Sequence, residues 1–421
     1  MIKVPKILVV HTNNSIGLTF TTKLTKFSDR YHPADVQFLK IYPSTNWLEL
    51  FGTYKPSIIV FDKNDVILPD ELVSILPLTK DRLYKCDFNS EFEYSVYERA
   101  QRADSLKSQQ PYFSICTPTY NTKPSYLDRL YNSLLGQEFV DWEWVIYDTS
   151  SSKTTRTHID KLALIDPRIK VISILYAPEP SNIGYLKREC FMSANGNWLI
   201  EMDHDDELMP HALKTIYEGI SAFTTKNRRV PGFVYSHAFE VNNGNGNVNY
   251  GEGFAYGLGK KIPFDGPYGC KWYNAAAPIC SKSLRNIVGI PNHVRIWNTN
   301  LYHELNGHNE NLGIADDYEL VVRSFLKDPH GFLCIDAPLY IQFMHGDNSQ
   351  ENVRLQIHWF CSMIEDVYHN MLTEVLVKEC KCLIENVDKS RDEILYSDIP
   401  QNEMWFETRY NPTDKTLKTY L

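Results

Sequence analysis

The stretch NIGYLKRECFMSANGNWLIEMDHDDEL, residues 182–208, decides the fold. Residues 184–194 read as a helix, and WLIEMD (198–203) reads as a buried strand. The strand runs out into Asp203, Asp205 and Asp206, three acids in four positions. Carboxylates that close repel one another, so they need open solvent or a cation between them. A helix leading into an apolar strand whose far end is polar is the unit of a parallel α/β sheet, and ligands bind beyond such strand ends.

The same alternation continues on both sides. Upstream lie strand FSICTP (113–118), a helix with Leu127, Leu130, Tyr131 and Leu134 on one face, strand WVIYD (144–148), a helix over 153–165 and strand KVISIL (170–175). Downstream, a helix is expected over 210–223. Three strand ends carry PTYN, YDTSS and DHDD. The expected class is α/β, a doubly wound, mostly parallel sheet occupying residues 111–350, with a first half at 111–210 and a second at 211–350.

Residues 1–88 repeat the alternation on a smaller scale. KILVV (6–10), DVQFLKIY (35–42) and SIIVF (57–61) are the strands, and IGLTFTTKLTKF (16–27), WLELFGTY (47–54) and DELVSIL (70–76) the stretches between them. This predicts a small Rossmann-like domain, structural or partner-binding in role. Asp62 stands where a receiver domain keeps its phosphoacceptor, but HTNN after the first strand lacks the acids a receiver needs. Residues 89–110 are polar and read as a linker. The Asn- and Gly-rich VNNGNGNVNYGEG within 240–270 reads as a turn or a lid. Residues 351–421 are expected to form a helical C-terminal extension and tail, with Leu355, Trp359, Met363 and Val367 on one helical face.

Composition narrows the function. The chain has 421 residues, 43% hydrophobic and 23% charged, which is ordinary for two or three globular domains. A net charge of −9 implies no basic face for a nucleic-acid backbone. Nine scattered cysteines, with Cys380-x-Cys382 as a lone close pair, point to reduced thiols rather than a zinc site. No signal peptide or run of about 18 apolar residues is visible, so a cytoplasmic location is expected, with peripheral membrane association left open.

Acids at a parallel-strand end suit a hard divalent cation, Mn2+ or Mg2+, that leaves positions open for phosphate oxygens. Capping of the helix near Pro210 is the competing reading for Asp205 or Asp206. PTYN (118–121), the helix L-x-x-L-x-x-x-L, GQ (136–137), WEWVIYDTSS (142–151), DPRIKVI (166–172) and the 182–208 stretch occur in an order and spacing that resemble inverting glycosyltransferase family 2, with its GT-A fold. The resemblance covers 111–210 closely and 211–350 more loosely.

The resemblance implies roles. Thr117, Pro118, Thr119 and Tyr120 would line a nucleotide site. Asp148 would contact the base, favouring UDP; here Tyr147 replaces the first acid of the usual pair. Lys187 and Arg188 would brace the nucleotide or its diphosphate, with a surface salt bridge as the alternative. Asp203 would approach the ribose or sugar and the metal, Asp205 would be the main metal ligand, and Asp206 would support or cap.

GIADDYELVVRSFL (313–326) is similar to the family's acidic block. It implies Asp317 as general base with Asp316 beside it, against a capping alternative. Tyr340, His345 and Ser349 match a Y-x-x-H-x-x-x-S ending, in which His345 would complete the metal site. Trp272 and Tyr273 are acceptor-stacking candidates, or core.

The implied reaction is metal-dependent inverting transfer from a nucleotide-sugar to a hydroxyl of a glycan, glycoprotein or lipid-linked acceptor. The alternatives are a nucleotidyltransferase, for which TPTYNTKPS is poor in phosphate-cradling glycines, and a catalytically degenerate sugar-nucleotide-binding or glycan-binding module. A homo-oligomer or a partner held by the N-terminal domain is compatible with the sequence.

Overall fold

The structure is a computed structural model that describes residues 6–30, 35–40, 58–62, 83–86, 111–174, 182–249, 260–281, 283–285, 291, 293–345, 354–381 and 407–420. The chain divides into two compact units, Met1–Pro111 with Arg156–Val171, and Tyr112–Thr155 with Ile172–Leu421.

In the first unit, β1 (Lys6–His11), α1 (Asn14–Arg30), β2 (Asp35–Lys40), β3 (Ile58–Asp62) and β4 (Leu83–Cys86) form a four-stranded parallel sheet of order β2-β1-β3-β4. The KILVV run is buried from Ile7 to Val10, against Phe20 and Leu24 of α1. Asn13 starts the helix, its Oδ1 accepting the Ser15 N–H at 2.9 Å. The stretches expected at 47–54 and 70–76 and the linker at 89–110 lie outside the described residues.

The second unit holds the larger sheet. Its elements are β5 (Phe113–Thr119), α2 (Pro124–Leu135), β6 (Trp142–Asp148), α3 (Lys153–Ile165), β7 (Ile169–Ser173), α4 (Ile183–Met192), β8 (Trp198–Glu201), β9 (Glu207–Leu208), α5 (Ala212–Asn227) and β10 (Phe233–Asn242). They continue with β11 (Lys260–Pro263), β12 (Trp272–Ala275), β13 (Arg295–Asn298), α6 (Thr299–Glu304), α7 (Asp316–Lys327), β14 (Phe332–Met344), α8 (Arg354–Lys381), β15 (Glu407–Asn411) and β16 (Thr416–Tyr420). α3 and β7 run across the division between the units.

The strand order is β16-β15-β14-β10-β13-β8-β5-β6, with β9 on β14 and β12 on β10. β5 pairs in parallel with β6 and β8, and β10 with β14; β13 runs antiparallel between β8 and β10. This is a mixed α/β sheet, mostly parallel in its first half. Its strands are apolar on both faces: Trp144, Val145, Ile146 and Tyr147 are all buried. The expected face of α2, with Leu127, Leu130, Tyr131 and Leu134, is the buried one.

Two features differ from expectation. Residues 407–420 form a hairpin that extends the large sheet, β15 pairing in parallel with β14. The sheet therefore continues beyond residue 350. Alternation in ETRYN is too brief to separate from a polar tail, and only the open β14 edge recruits it. On α8, the expected apolar stripe is the solvent side: Leu355 is 86% and Trp359 61% exposed. Cys361, Ile364 and Leu372 face the core instead. The Asn- and Gly-rich stretch opens as a turn after β10, where Asn243, Gly244 and Gly246 have positive φ, and Val241 bridges Asn247. Residues 250–259, the rest of that segment, are outside the described set.

Candidate active site

β5, β6 and β8 end at one edge. The register pairs Thr119 with Asp148 and Cys116 with Glu201, and Met202 N–H still donates to the Cys116 carbonyl. Thr119 therefore stands between Asp148 and the 203–205 turn, which are two strand spacings apart, about 10 Å.

Asp148 is buried. Its Oδ1 accepts from Thr119 Oγ1 and from the Ser150 N–H, each at 3.1 Å. Its Oδ2 is buried without a partner. An orphaned carboxylate oxygen costs free energy unless a donor group arrives, so this atom marks a ligand position. The neighbouring turns are tied together: the Asn121 N–H donates to Ser150 Oγ at 2.7 Å and Asn121 Oδ1 accepts the Ser152 N–H at 2.8 Å. Thr117 is buried and accepts from Trp144 Nε1 at 2.9 Å, so it braces the strand, whereas Tyr120 is exposed and Pro118 half-buried.

The 203–206 acids separate in role. Asp206 is buried and committed: Tyr340 OH donates to its Oδ2 and Phe343 N–H to its Oδ1, both at 2.8 Å. Burial and the adjacent Asp205 and Asp203 push its carboxyl well above the usual range. It anchors the turn to β14 and caps no helix; α5 begins with His211 at its N-cap, without a side-chain cap. Asp203 and Asp205 keep oxygens facing histidines. Asp203 Oδ2 lies 3.2 Å from His293 Nε2, and Asp205 Oδ2 lies 2.6 Å from His345 Nε2. Burial alone would raise the Asp203 carboxyl, but His293 beside it holds it well below the ordinary range. Tyr126 stacks on His345 at 5.3 Å, and Arg129 donates to the Asp205 carbonyl while lying 3.6 Å over the Phe343 ring. α2 thus fixes both the acidic turn and its imidazole.

Ligand atoms of Asp203, Asp206 and His293 lie within 4.8 Å of one another. Carboxylate oxygens with imidazole nitrogens suit a divalent cation such as Mn2+ or Mg2+. Both oxygens of Asp206 already accept hydrogen bonds, which leaves Asp203 and His293 as the open donors of this group; the Asp205–His345 pair lies outside it. Ser349 lies outside the described residues.

The acids of α7 are held differently. Glu201, buried on β8, takes a bidentate pair from Arg295 at 2.8 and 2.9 Å and Lys187 Nζ at 2.7 Å. Arg295 also reaches Asp317 Oδ2 at 2.9 Å, and Lys187 reaches Asp316 Oδ2 at 3.2 Å. Burial raises a carboxyl's pKa, yet Arg295, then Lys187, bring Asp317 below its ordinary value. Asp316 is deeper, and burial lifts it to about 6 against the pull of Lys187. Asp317 keeps its side chain a fifth exposed, 21% against 4% for Asp316. The N-cap of α7 is Ala315, in the left-handed region, and Asp317 serves the first turn: its Oδ1 accepts the Tyr318 N–H at 2.7 Å.

The loop leading to α7 packs on the start of α4 at Gly184: a Cβ there would lie 2.2 Å from the Asn309 carbonyl oxygen. Only glycine allows this approach.

Lys187 is therefore a buried partner of acids. Arg188 pairs with Glu310 and with Asn306 Oδ1 on the surface. Tyr273 packs with Phe239 and stacks on His237, and Trp272 lies half-buried on β12 with Lys261 over its ring. Sequence reading passed over Glu201, His293 and Arg295. The available signal was a charge inside an apolar strand, in LIEMD and VRIW.

Comparison with known proteins agrees with this geometry. Residues 114–226 match the sequence model of Glycosyl transferase family 2. The hyaluronan synthase of Pasteurella multocida is 26% identical over 247 residues, 58% of this chain and 22% of that protein. The GalNAc(5)-diNAcBac-PP-undecaprenol beta-1,3-glucosyltransferase of Campylobacter jejuni is 30% identical over 109 residues, 26% of this chain and 34% of that protein. The chain thus spans about a fifth and a third of the lengths of these two relatives. Among solved structures, S. aureus TarS 1-349 in complex with UDP-GlcNAc aligns over 69% of this chain and 77% of that one, at 17% identity and a TM-score of 0.43, too low to carry weight. The ordered sequence blocks and the strand-end acids are what count: residues 114–226 form a glycosyltransferase family 2 domain, set in an α/β fold of the GT-A class.

Proposed function

We propose that this chain is an inverting glycosyltransferase that moves a sugar from a nucleotide-sugar, UDP-linked by preference, to a hydroxyl of a glycan, glycoprotein or lipid-linked acceptor. The observation that carries this reading is the placement of acids at one edge of the sheet: Asp148 ends β6 and Asp203 and Asp205 follow β8, the two strands that flank β5, and Arg295 bridges Asp317 to Glu201, two residues before Asp203.

Asp148 Oδ2 accepts an N–H from the nucleotide base, with Thr119 holding the carboxylate still. Asp203 and Asp205, with His345 and His293, would hold a divalent cation, which supplies positive charge to offset that growing on the leaving diphosphate. Asp317 is ionised at neutral pH and held by Arg295. It takes the proton of the acceptor hydroxyl as that oxygen bonds to the anomeric carbon from the side opposite the diphosphate. The carbon–oxygen bond to the diphosphate breaks in the same step, and the nucleoside diphosphate departs.

A screen of nucleotide-sugars for Mn2+-dependent hydrolysis tests this without knowledge of the acceptor. Release of nucleoside diphosphate from one donor is expected. Pyrophosphate release from a nucleoside triphosphate, with no donor cleaved, would assign nucleotidyl transfer instead; binding without release would assign a degenerate module.

A further inference from the structure

We infer that Tyr268, at the end of the β11–β12 hairpin, supplies the ring on which the acceptor sugar stacks. This deepens the transferase reading above and rests on it.

The hairpin end is tightly closed. The Phe264 N–H donates to the Lys271 carbonyl and the Gly266 N–H to the Cys270 carbonyl, both at 2.9 Å, and the Cys270 N–H to the Pro267 carbonyl at 3.0 Å. Within this closed end Tyr268 has φ 53° and ψ 29°, in the left-handed region. A side chain with a Cβ is disfavoured there, and glycine is not. Tyr268 also stays 41% exposed. The chain thus carries a large aromatic where the backbone favours glycine and where water still reaches the ring.

Its contacts tie that ring to the acidic turn. The hydroxyl donates to Glu207 Oε1 at 2.7 Å, and the ring meets Phe343 edge to face at 4.9 Å. Arg129 Nε lies 3.5 Å from the same Glu207 oxygen, while the Arg129 guanidinium covers Phe343 and donates to the Asp205 carbonyl. Glu207 follows Asp205 by two residues, and Phe343 precedes its partner His345 by two. A ring held at its hydroxyl and braced by a neighbour loses little further freedom when a ligand covers it.

Strand order gives the side of the turn on which it stands. The turn leaves β8 and ends in β9, which pairs with β14, three strands along the sheet. Asp148 ends β6, two strands the other way. With the nucleotide base at Asp148, Tyr268 stands on the opposite flank of the turn. In-line displacement brings the acceptor from the side away from the departing diphosphate, which is this flank. The negative face of an aromatic ring attracts the C–H edges that a pyranose presents on one side. A nucleobase would stack on such a ring too, but its place is at the other flank.

Saturation-transfer NMR titrations with methyl β-D-glucopyranoside and methyl β-D-galactopyranoside, in the presence of UDP and Mn2+, test the assignment. Calorimetry follows UDP and UDP-GlcNAc alongside. At least one glycoside should bind the wild type. Tyr268→Gly, which suits the left-handed backbone, should weaken that binding at least fivefold. Tyr268→Phe, which keeps the ring, should stay within twofold. Phe264→Ser, on the same hairpin but packed on Phe239 and Tyr273, should also stay within twofold. Nucleotide affinities within twofold of wild type in all three variants show that they fold. Wild-type glycoside binding by Tyr268→Gly, an equal loss in Tyr268→Phe or Phe264→Ser, or no glycoside bound by a protein that binds UDP, overturns the assignment. A loss of UDP or UDP-GlcNAc affinity in Tyr268→Gly would move the ring to the donor and overturn it as well. Failure of the wild type to bind either nucleotide sinks the donor reading, and the acceptor ring with it.

Discussion

The acids at 203–206 and those at 316–317 lie close together and meet different counter-charges. Asp203 and Asp205 pair with histidines: His293, His345 and, at 3.7 Å, His204. Asp316, Asp317 and Glu201 are laced by Lys187 and Arg295, which carry permanent charge. Imidazole is a partner that can lose its proton and become a ligand. Guanidinium and ammonium cannot ligate, and they keep a carboxylate ionised and in place. In the proposed reaction the first cluster would receive a cation and the second would hold the base. The difference teaches that acidic doublets alike in sequence acquire different chemistry from the residues packed against them.

The contrast can be broken at several points. Asp317→Asn should cut turnover by about 1,000-fold or more, on the order of 4 kcal/mol of barrier, with donor affinity within threefold. A parallel loss of both in steady-state and calorimetric measurements would remove the base role. Arg295→Met strips Glu201 of its bidentate partner and should cost about 3–5 kcal/mol of stability in denaturant titrations. A loss below about 1 kcal/mol would mean that the lattice of buried charges is not what holds α7 to the sheet. Asp205→Ala should lower turnover by about 100-fold, near 3 kcal/mol, without loss of thermal stability, since it relieves repulsion on Asp206. Wild-type turnover in that variant would detach the turn from the chemistry.

A pH experiment sharpens the comparison. Asp316 sits at about 6 when folded, above the ordinary 3.8. Between those values the folded chain keeps a proton that the unfolded chain has lost, so stability falls as pH rises from about 4 to about 6 and stays lower above. The wild-type minus Asp316→Asn stability difference should therefore become less favourable by on the order of 2–3 kcal/mol from pH 4 to pH 7. A flat difference would place Asp316 among ordinary carboxylates. The smallest effect belongs to α8. Trp359→Ser on its exposed stripe should change stability by less than about 0.5 kcal/mol, whereas Leu372→Ala on the buried side should cost about 2–3 kcal/mol. Equal effects would reverse the assignment of its faces.

Much of the fold is legible because its first half alternates helix and strand in short, strongly patterned segments. α2 shows its buried face as Leu127, Leu130 and Leu134, and β6 is apolar throughout. α8 misleads for a physical reason: it carries two apolar stripes, an exposed one at Leu355, Trp359, Met363, Val367 and Met371 and a core-facing one at Ile357, Phe360, Ile364, Tyr368, Leu372 and Val375. Periodicity identifies a helix, but not which of two apolar faces meets the core. The β15–β16 hairpin escaped because its partner, β14, lies more than sixty residues earlier in the chain.

The site divides in the same way. Sequence alone determined that Asp148, Asp203, Asp205 and Asp206 terminate strands, because a run of apolar residues must stop where charge begins. It also marked Asp317 and His345 as companions. Only the tertiary structure decided that Asp206 is consumed as an anchor by Tyr340 and Phe343, that Lys187 lies buried between acids, and that Arg295 joins Asp317 to the sheet. A side chain's charge is written in the chain, but its counter-charge comes from distant segments, as far as the 140 residues between Asp205 and His345. Whether an acid anchors, ligates or takes a proton is set by that counter-charge and by how much water it can reach.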